Sequence, residues 1–482
     1  MSKNDSLNCA YILRILACIL VLSLCIFPAS AIIVDVAPTN APHGAVILIM
    51  DGVSSCYIYP EFTPYAIDGS LIEKADNDNM SFIFDQSCRV LDVVAPQTYT
   101  EAGHSVLVTG YSRADGDIVG GYDTTIYDVA HDYDYLTFAI MEKGDFSSMC
   151  EEQNVVVHDA TNSINNPEML VKTNIHSIDN KKISMDVAKF FQDQASIIPF
   201  QLQNYPEGSI ERYNAYNKWA IETAINNIEF MARTYPEEHY ILTINVGATD
   251  SAGHYKKDSG YIATIEGIDS VCKTLYDTCN ENNIAFVMTA DHGMAFSTED
   301  SRGGHQSKKY SVTTEAQKVP FVISSPNVKS GLVQGEFGQE DIPPTILSVL
   351  ELPDKLRLAD GSTIPVTKHI TLNIKTFETG NIILLNNGMI LAEASSTSNC
   401  LFRGIEPGPN YTIRFLPDAD ENNVLEQKID LQKSETIVFS SSSHKSLENN
   451  ELLNSRHIIG GSLIALINVT GLIMIRRILK SG

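Results

Sequence analysis

The chain has 482 residues, 44% hydrophobic and 19% charged, a globular composition with enough apolar content for a large core. Its formal net charge of -25 makes the surface strongly acidic, which disfavours long polyanions, so nucleic acid is not expected as a partner. A solvent of high ionic strength accounts for such a charge equally well, so the charge names no substrate.

Lys3 and Arg14 precede an apolar run from Ile15 to Phe27, and Pro28-Ala29-Ser30-Ala31 follows. A basic start, an apolar run and a small-residue end read as a secretory signal over residues 1–31, with an uncleaved anchor as the alternative. Next, Gly44 to Met50 is continuously apolar and ends at Asp51-Gly52, the pattern of a buried parallel strand that delivers an acid at its carboxyl end. Val90 to Ala95 predicts a second strand. The segment Thr98-Tyr-Thr100-Glu-Ala-Gly-His104 after it has a helical onset, with Thr98 and Glu101 spaced as a capping box. From 116 to 205 the rhythm weakens and Asn, Asp and Ser become frequent, which predicts an inserted cap over the sheet.

Regular alternation then resumes. Glu211 to Thr234 carries Ile221, Ile225 and Ile228 on one helical face and stops before Pro236. Tyr240 to Val246 is an apolar strand leading to Asp250. Ile262, Ile265, Ile268, Cys272 and Leu275 make a helical stripe. Ile284 to Thr289 leads to Asp291-His292-Gly293, and Val319 to Ile323 is a further strand. Asp341-Ile-Pro-Pro-Thr starts another helix, with Asp341 as its expected cap. This alternation predicts an α/β fold: a doubly wound, mostly parallel sheet with helices on both faces. Its core would comprise residues 42–115 and 206–355, with 116–205 inserted.

Residues 366–440 turn to short alternating runs broken by Asn-Gly and Pro-Gly, the pattern of a small β-sandwich. A polar stalk over 441–456 follows. Ile458 to Ile475 is uncharged and precedes Arg476, Arg477 and Lys480. About eighteen apolar residues can just cross a bilayer, so 458–475 is expected as a transmembrane helix. The membrane would then be a partner, with the catalytic body outside the cell and the tail cytoplasmic. Cys9, Cys18 and Cys25 fall in the expected signal. The remaining Cys56, Cys88, Cys150, Cys272, Cys279 and Cys400 permit disulfides without selecting any of fifteen pairings. Asn79-Met-Ser81 and Asn410-Tyr-Thr412 have the form of glycosylation acceptors.

Carboxylates and imidazoles recur at the predicted strand ends: Asp51, then Asp250-Ser-Ala-Gly-His254, then Asp291-His292 and Gly303-Gly304-His305. Each alone reads best as a turn cap or a surface histidine. Together they fall along one edge of one sheet, and carboxylate oxygen with imidazole nitrogen is a ligand set for zinc or manganese. Thr100 supplies a hydroxyl, a poor nucleophile unless a base or metal lowers its pKa. Arg113 and Arg302 flank these segments and read as surface residues.

In this order the segments resemble the alkaline phosphatase superfamily, from about Gly44 to Pro353. The resemblance implies two divalent metal ions, with Zn2+ favoured by the three histidines and Mn2+ the alternative. By matching position, Asp250, His254 and His305 would hold one ion. Asp51, Asp291, His292 and Thr100 would hold the other, and Thr100 would form a phospho-threonine with a phosphate-ester substrate. No Cys/Ser-x-Pro-x-Arg segment of a sulfatase is present. Gly103 stands where nucleotide pyrophosphatases carry a phosphate-binding Asn, and Thr100-Glu-Ala-Gly-His104 is closer to the phosphoglycerate mutases. The expected function is hydrolysis of phosphate mono- or diesters outside the cell. The alternatives are transfer of a phospho-headgroup, phosphomutase-like isomerisation, or surface binding by a relic core. Oligomeric state is left open.

Overall fold

The computed structural model describes residues 31–440, apart from 144–145, 177–179, 354–355 and 420–422. The chain divides into two compact units, Met1–Ile437 and Val438–Gly482, and the large sheet and the candidate site belong to the first.

After a short strand β1 (Ile32–Asp35), the principal sheet is built from β2 (Gly44–Met50), β3 (Cys88–Val94), β4 (Leu136–Met141), β5 (Val155–Asp159), β6 (Met169–Thr173), β7 (Tyr240–Val246) and β8 (Ile284–Thr289). A small ribbon, β9 (Ala295–Phe296) and β10 (Gly303–Gly304), precedes the last two strands of that sheet, β11 (Phe321–Ser324) and β12 (Gly331–Gly338). The spatial order is β12-β3-β11-β8-β2-β7-β4-β5-β6. Strand β2 lies between β7 and β8, parallel to both, and all its residues are buried. Burying a Val, Leu or Ile side chain fully contributes about 1.5–3 kcal/mol, so these central strands fix the sheet. Strand β11 runs antiparallel to β3 and β8, and β6 antiparallel to β5, so the sheet is mixed rather than uniformly parallel.

Two groups of helices accompany it. Ile210–Thr234 packs on Lys257–Glu281, which also meets Asp78–Gln86, whereas Thr100–Thr109 packs with Ile342–Val349. Asp341 does not cap the latter helix with its side chain; it accepts from Gly338 N at 2.9 Å and Ser362 N at 2.6 Å, fixing the turn before the helix.

Three expectations are corrected. Residues 116–205 do not form only a cap: they contribute β4, β5 and β6 to the sheet itself. The C-terminal strands β13 (Ile370–Asn386), β14 (Met389–Ile405), β15 (Gly408–Pro417), β16 (Leu425–Leu431) and β17 (Glu435–Phe439) join β1 in one hydrogen-bonded six-stranded sheet rather than two separately paired ones. β13 and β14 are 17 residues each, long enough to pair with different neighbours along their two halves. The expected membrane-crossing helix is not supported: no helix among the described residues is long and apolar enough to cross a membrane, and 458–475 lies outside them. The expected signal (residues 1–30 of it) and the stalk also lie outside the described residues. All six described cysteines are buried, and none of them is in a disulfide.

Candidate metal centre

Asp51 follows β2, Asp250 sits in the helix after β7, and Asp291-His292 follows β8, so three adjacent parallel strands deliver ligand-type side chains to one edge. Gly52 makes this turn with φ +75, and a Cβ there would lie 3.2 Å from Asp250 Cα. Its N–H donates to Asp291 Oδ1 at 3.0 Å, tying two of the three loops together. Tyr261, fully buried, donates to Gly52 O at 2.8 Å and accepts from Ser54 N at 3.3 Å, bracing the same loop.

His305 arrives from the β9–β10 ribbon and is held by reciprocal bonds with Thr98. Thr98 Oγ1 donates to His305 O at 2.7 Å, and His305 Nδ1 faces Thr98 O at 2.6 Å. The expected capping box is therefore absent: Tyr99 is the cap position of the Thr100–Thr109 helix and makes no side-chain cap.

The structure brings all seven expected residues together. Asp51, Asp291 and His292 offer donor atoms within 4.8 Å of one another, and so do Asp250, His292 and His305. His254 Nε2 lies 3.3 Å from Asp250 Oδ1 and 3.0 Å from His305 Nε2. Thr100 Oγ1 lies 3.0 Å from His292 Nε2.

Three features fit these residues to cations. First, the Nδ1 atoms of His254, His292 and His305 each face a backbone carbonyl, of Gly303, Gly293 and Thr98 respectively. A proton held on Nδ1 leaves the Nε2 lone pair as a donor, the usual outer-shell arrangement of a metal-ligating histidine. Second, two such Nε2 lone pairs 3.0 Å apart repel unless a proton or a metal ion lies between them. Third, Asp51, Asp250 and Asp291 are buried, and Asp51 Oδ1, Asp250 Oδ1 and Asp291 Oδ2 have no hydrogen-bond partner. Burying such oxygens unpaired is costly.

The neighbouring cation is Lys143, which the sequence reading missed. Its Nζ donates to Asp250 Oδ2 at 2.9 Å and lies 2.8 Å from Asp51 Oδ2 without the angle of a hydrogen bond, joining one carboxylate from each expected ion set. Burial works against the Lys143 charge, yet the two carboxylates hold its pKa well above the usual value. Burial, reinforced by the Asp291 charge, raises Asp51 to about 8. Asp250 and Asp291 are lowered despite burial, chiefly by Lys143 and by His292 respectively. His104 stacks on Phe146 at 4.0 Å and lies 3.2 Å from Asp291 Oδ2. Arg113 and Arg302 are exposed.

Gly103 has a packing role. A Cβ there would lie 2.3 Å from Asp291 O, so the Thr100–Thr109 helix approaches the Asp291 main chain more closely than any side chain permits. An Asn at this position would not fit.

An α/β sheet carrying clustered carboxylates and imidazoles at its strand ends defines a metal-dependent enzyme. The chain belongs to the metalloenzyme superfamily, whose family model matches residues 43–354. That membership implies a metal-dependent enzyme that holds divalent ions. The chain is 28% identical over 127 residues to a 2,3-bisphosphoglycerate-independent phosphoglycerate mutase of Ureaplasma urealyticum, covering 26% of this chain and 24% of that protein. It is 31% identical over 117 residues to the enzyme of that name from Onchocerca volvulus, covering 24% and 22%. The aligned region thus spans about a quarter of the length of these relatives. Among solved structures, alkaline phosphatase PafA matches with a TM-score of 0.48 and 12% identity, covering 69% of this chain and 100% of that one. A protein in the alkaline phosphatase superfamily from Vibrio parahaemolyticus matches at 0.44 and 11%, covering 82% and 84%.

Proposed function

We propose that the protein hydrolyses phosphate esters, using Thr100 as nucleophile beside two divalent cations. The observation that carries this reading is the 3.0 Å separation of Thr100 Oγ1 from His292 Nε2, inside the same donor cluster as Asp51 and Asp291. Asp250, His254 and His305 would hold one ion, and Asp51, Asp291, His292 and Thr100 the other. When bound, such a pair supplies charge that stabilises the attacking and leaving oxygens of an in-line displacement.

The chain's own residues do the rest. Thr100 stands in the first turn of its helix, where backbone N–H groups favour an anion. Its oxygen attacks phosphorus as its proton passes to solvent, and the bond to the ester oxygen breaks, that oxygen leaving with a proton from solvent. Water then cleaves the phospho-threonine, releasing phosphate and restoring the hydroxyl.

Release of nitrophenol from mono- and bis-nitrophenyl phosphate tests the reading. Thr100→Ala is expected to lower it at least a hundredfold, with Thr100→Ser retaining a measurable rate. Activity unaffected by Thr100→Ala would overturn it.

Phosphoryl return to the substrate, as in phosphoglycerate mutases, is the second reading; the likeness of the Thr100-to-His104 segment favours it. No arginine occurs between Arg113 and Arg212. Residues 114–211 thus offer no guanidinium for the carboxylate of a phosphoglycerate, which ranks hydrolysis first.

A further inference from the structure

Gln339 lies outside every segment that suggested the site, yet its side chain meets one of the ligand loops. It is fully buried in the turn Gln339–Asp341 that precedes the Ile342–Val349 helix. Its Nε2 donates to Ala290 O and to Asp291 O, each at 2.8 Å, and so uses both amide hydrogens on consecutive carbonyls at the end of β8. Its Oε1 has no partner. A buried amide normally satisfies both ends, so one committed wholly to two main-chain carbonyls is held there by the surrounding fold.

The placement matters because of what lies across that carbonyl. Asp291 O faces Gly103 of the nucleophile helix so closely that a Cβ there would be 2.3 Å away. Asp291 also accepts from Gly52 N at 3.0 Å and His292 N at 2.9 Å through Oδ1. The Asp291 peptide is therefore gripped by the Gln339 amide while the Thr100–Thr109 helix packs against it. Asp341, bonded to Gly338 N and Ser362 N, keeps the turn that presents Gln339.

The geometry points to Gln339 as a positioning residue that sets the Asp51/Asp291/His292 ion set against Thr100, without touching substrate or ion. This inference rests on the two-cation reading above. Its action is local: Gln339 contacts no residue of the Asp250/His254/His305 set through its side chain.

The test is zinc titration of metal-stripped protein by calorimetry, in wild type and in an Asp250→Ala background that leaves only the Asp51/Asp291/His292 set. Gln339→Met keeps length and removes both donors. It is expected to weaken the remaining ion at least tenfold in the Asp250→Ala background. In the otherwise wild-type chain it should weaken one of the two ions and spare the other. Gln339→Asn, one methylene shorter and gentler to folding, should show the same selective loss should the Met variant not fold. Val349→Ala, which opens the core of the same helix without touching Asp291, controls for lost packing. Unchanged zinc affinity in both Gln339 variants, or equal weakening by Val349→Ala, overturns the inference. A wild-type protein that binds no pair of zinc ions overturns the two-cation reading instead.

Discussion

At the residue scale, chemistry was readable where a residue type was rare and its position punctuated. Asp51, Asp250 and Asp291 each stand just past an apolar run; alone each reads as a turn cap, and only their recurrence at one edge of one sheet marks them as ligands. Lys143 and Gln339 carried no such mark. Lys143 is one cation among 34 Lys and Arg, and it reaches Asp51 and Asp250 only because β4 lies beside β7, a fact of strand order that spacing does not encode. The spacing of Thr98 and Glu101 predicts a capping box, yet in the fold the Thr98 hydroxyl and carbonyl are spent on His305. Gly103 gives a sharp prediction at this scale. Gly103→Ala places a methyl 2.3 Å from a carbonyl oxygen that Gln339 holds in place. The helix must retreat, so the thermal midpoint should fall by the equivalent of about 1–3 kcal/mol, the usual cost of overpacking. Phosphate-ester turnover should fall more steeply than stability, because Thr100 moves with the helix. Equal folding stability and turnover in Gly103→Ala, measured by calorimetry and nitrophenol release, would refute the close-approach argument.

At the scale of elements, β2, β7 and β8 were legible because short continuous apolar runs bounded by turn residues fit a strand buried on both faces. Strands β4 and β5 have similar runs, Leu136–Met141 and Val155–Asp159, but lie among loops rich in Asn, Asp and Ser that lowered the surrounding average. The helix Ile126–Asp132 before β4 carries a testable consequence. His131 stacks on His176 at 4.4 Å, and its Nε2 lies 2.9 Å from Thr137 Oγ1. Burial, with the neighbouring imidazole, lowers its pKa to about 4 from 6.5. A base whose folded pKa is depressed contributes stability present above its unfolded pKa and lost as pH falls toward the folded value. The His131 contribution should therefore decline between about pH 6.5 and pH 4, by about 1–3 kcal/mol after allowance for partial solvent access. His131→Gln, followed by urea unfolding across that range, should flatten this part of the curve. A slope identical to wild type would show that other groups carry it.

For the whole molecule, the central question is what balances three buried carboxylates in a chain of net charge -25. One ammonium, Lys143, serves two of them, and Asp51 is left with its pKa raised to about 8 by burial and by Asp291. An acid with a raised folded pKa contributes stability that is complete below its unfolded value near 3.8 and lost as pH rises through its folded value. Metal-stripped protein should therefore lose stability between about pH 4 and pH 8 through Asp51, on the order of a few kcal/mol. His131 gains stability with pH only below about 6.5. His104, raised despite burial by Asp291, and His254, raised by its bond to Asp250, lose stability above 6.5 in the same direction as Asp51. The Asp51→Asn difference therefore isolates the Asp51 part of the window from 6.5 to 8. Divalent cations reverse the sign of the argument, since an ion that binds ionised Asp51 only in the folded state stabilises it more as pH rises. Unfolding midpoints of chelated and zinc-loaded protein should accordingly diverge as pH climbs from 6.5 to 8, the loaded protein always the higher. Asp51→Asn should remove most of the decline in the chelated protein and most of the zinc-dependent gain together. Parallel pH curves for the two forms would mean that Asp51 neither changes its protonation in this window nor meets an ion, and the charge balance drawn from the buried carboxylates would fail with it.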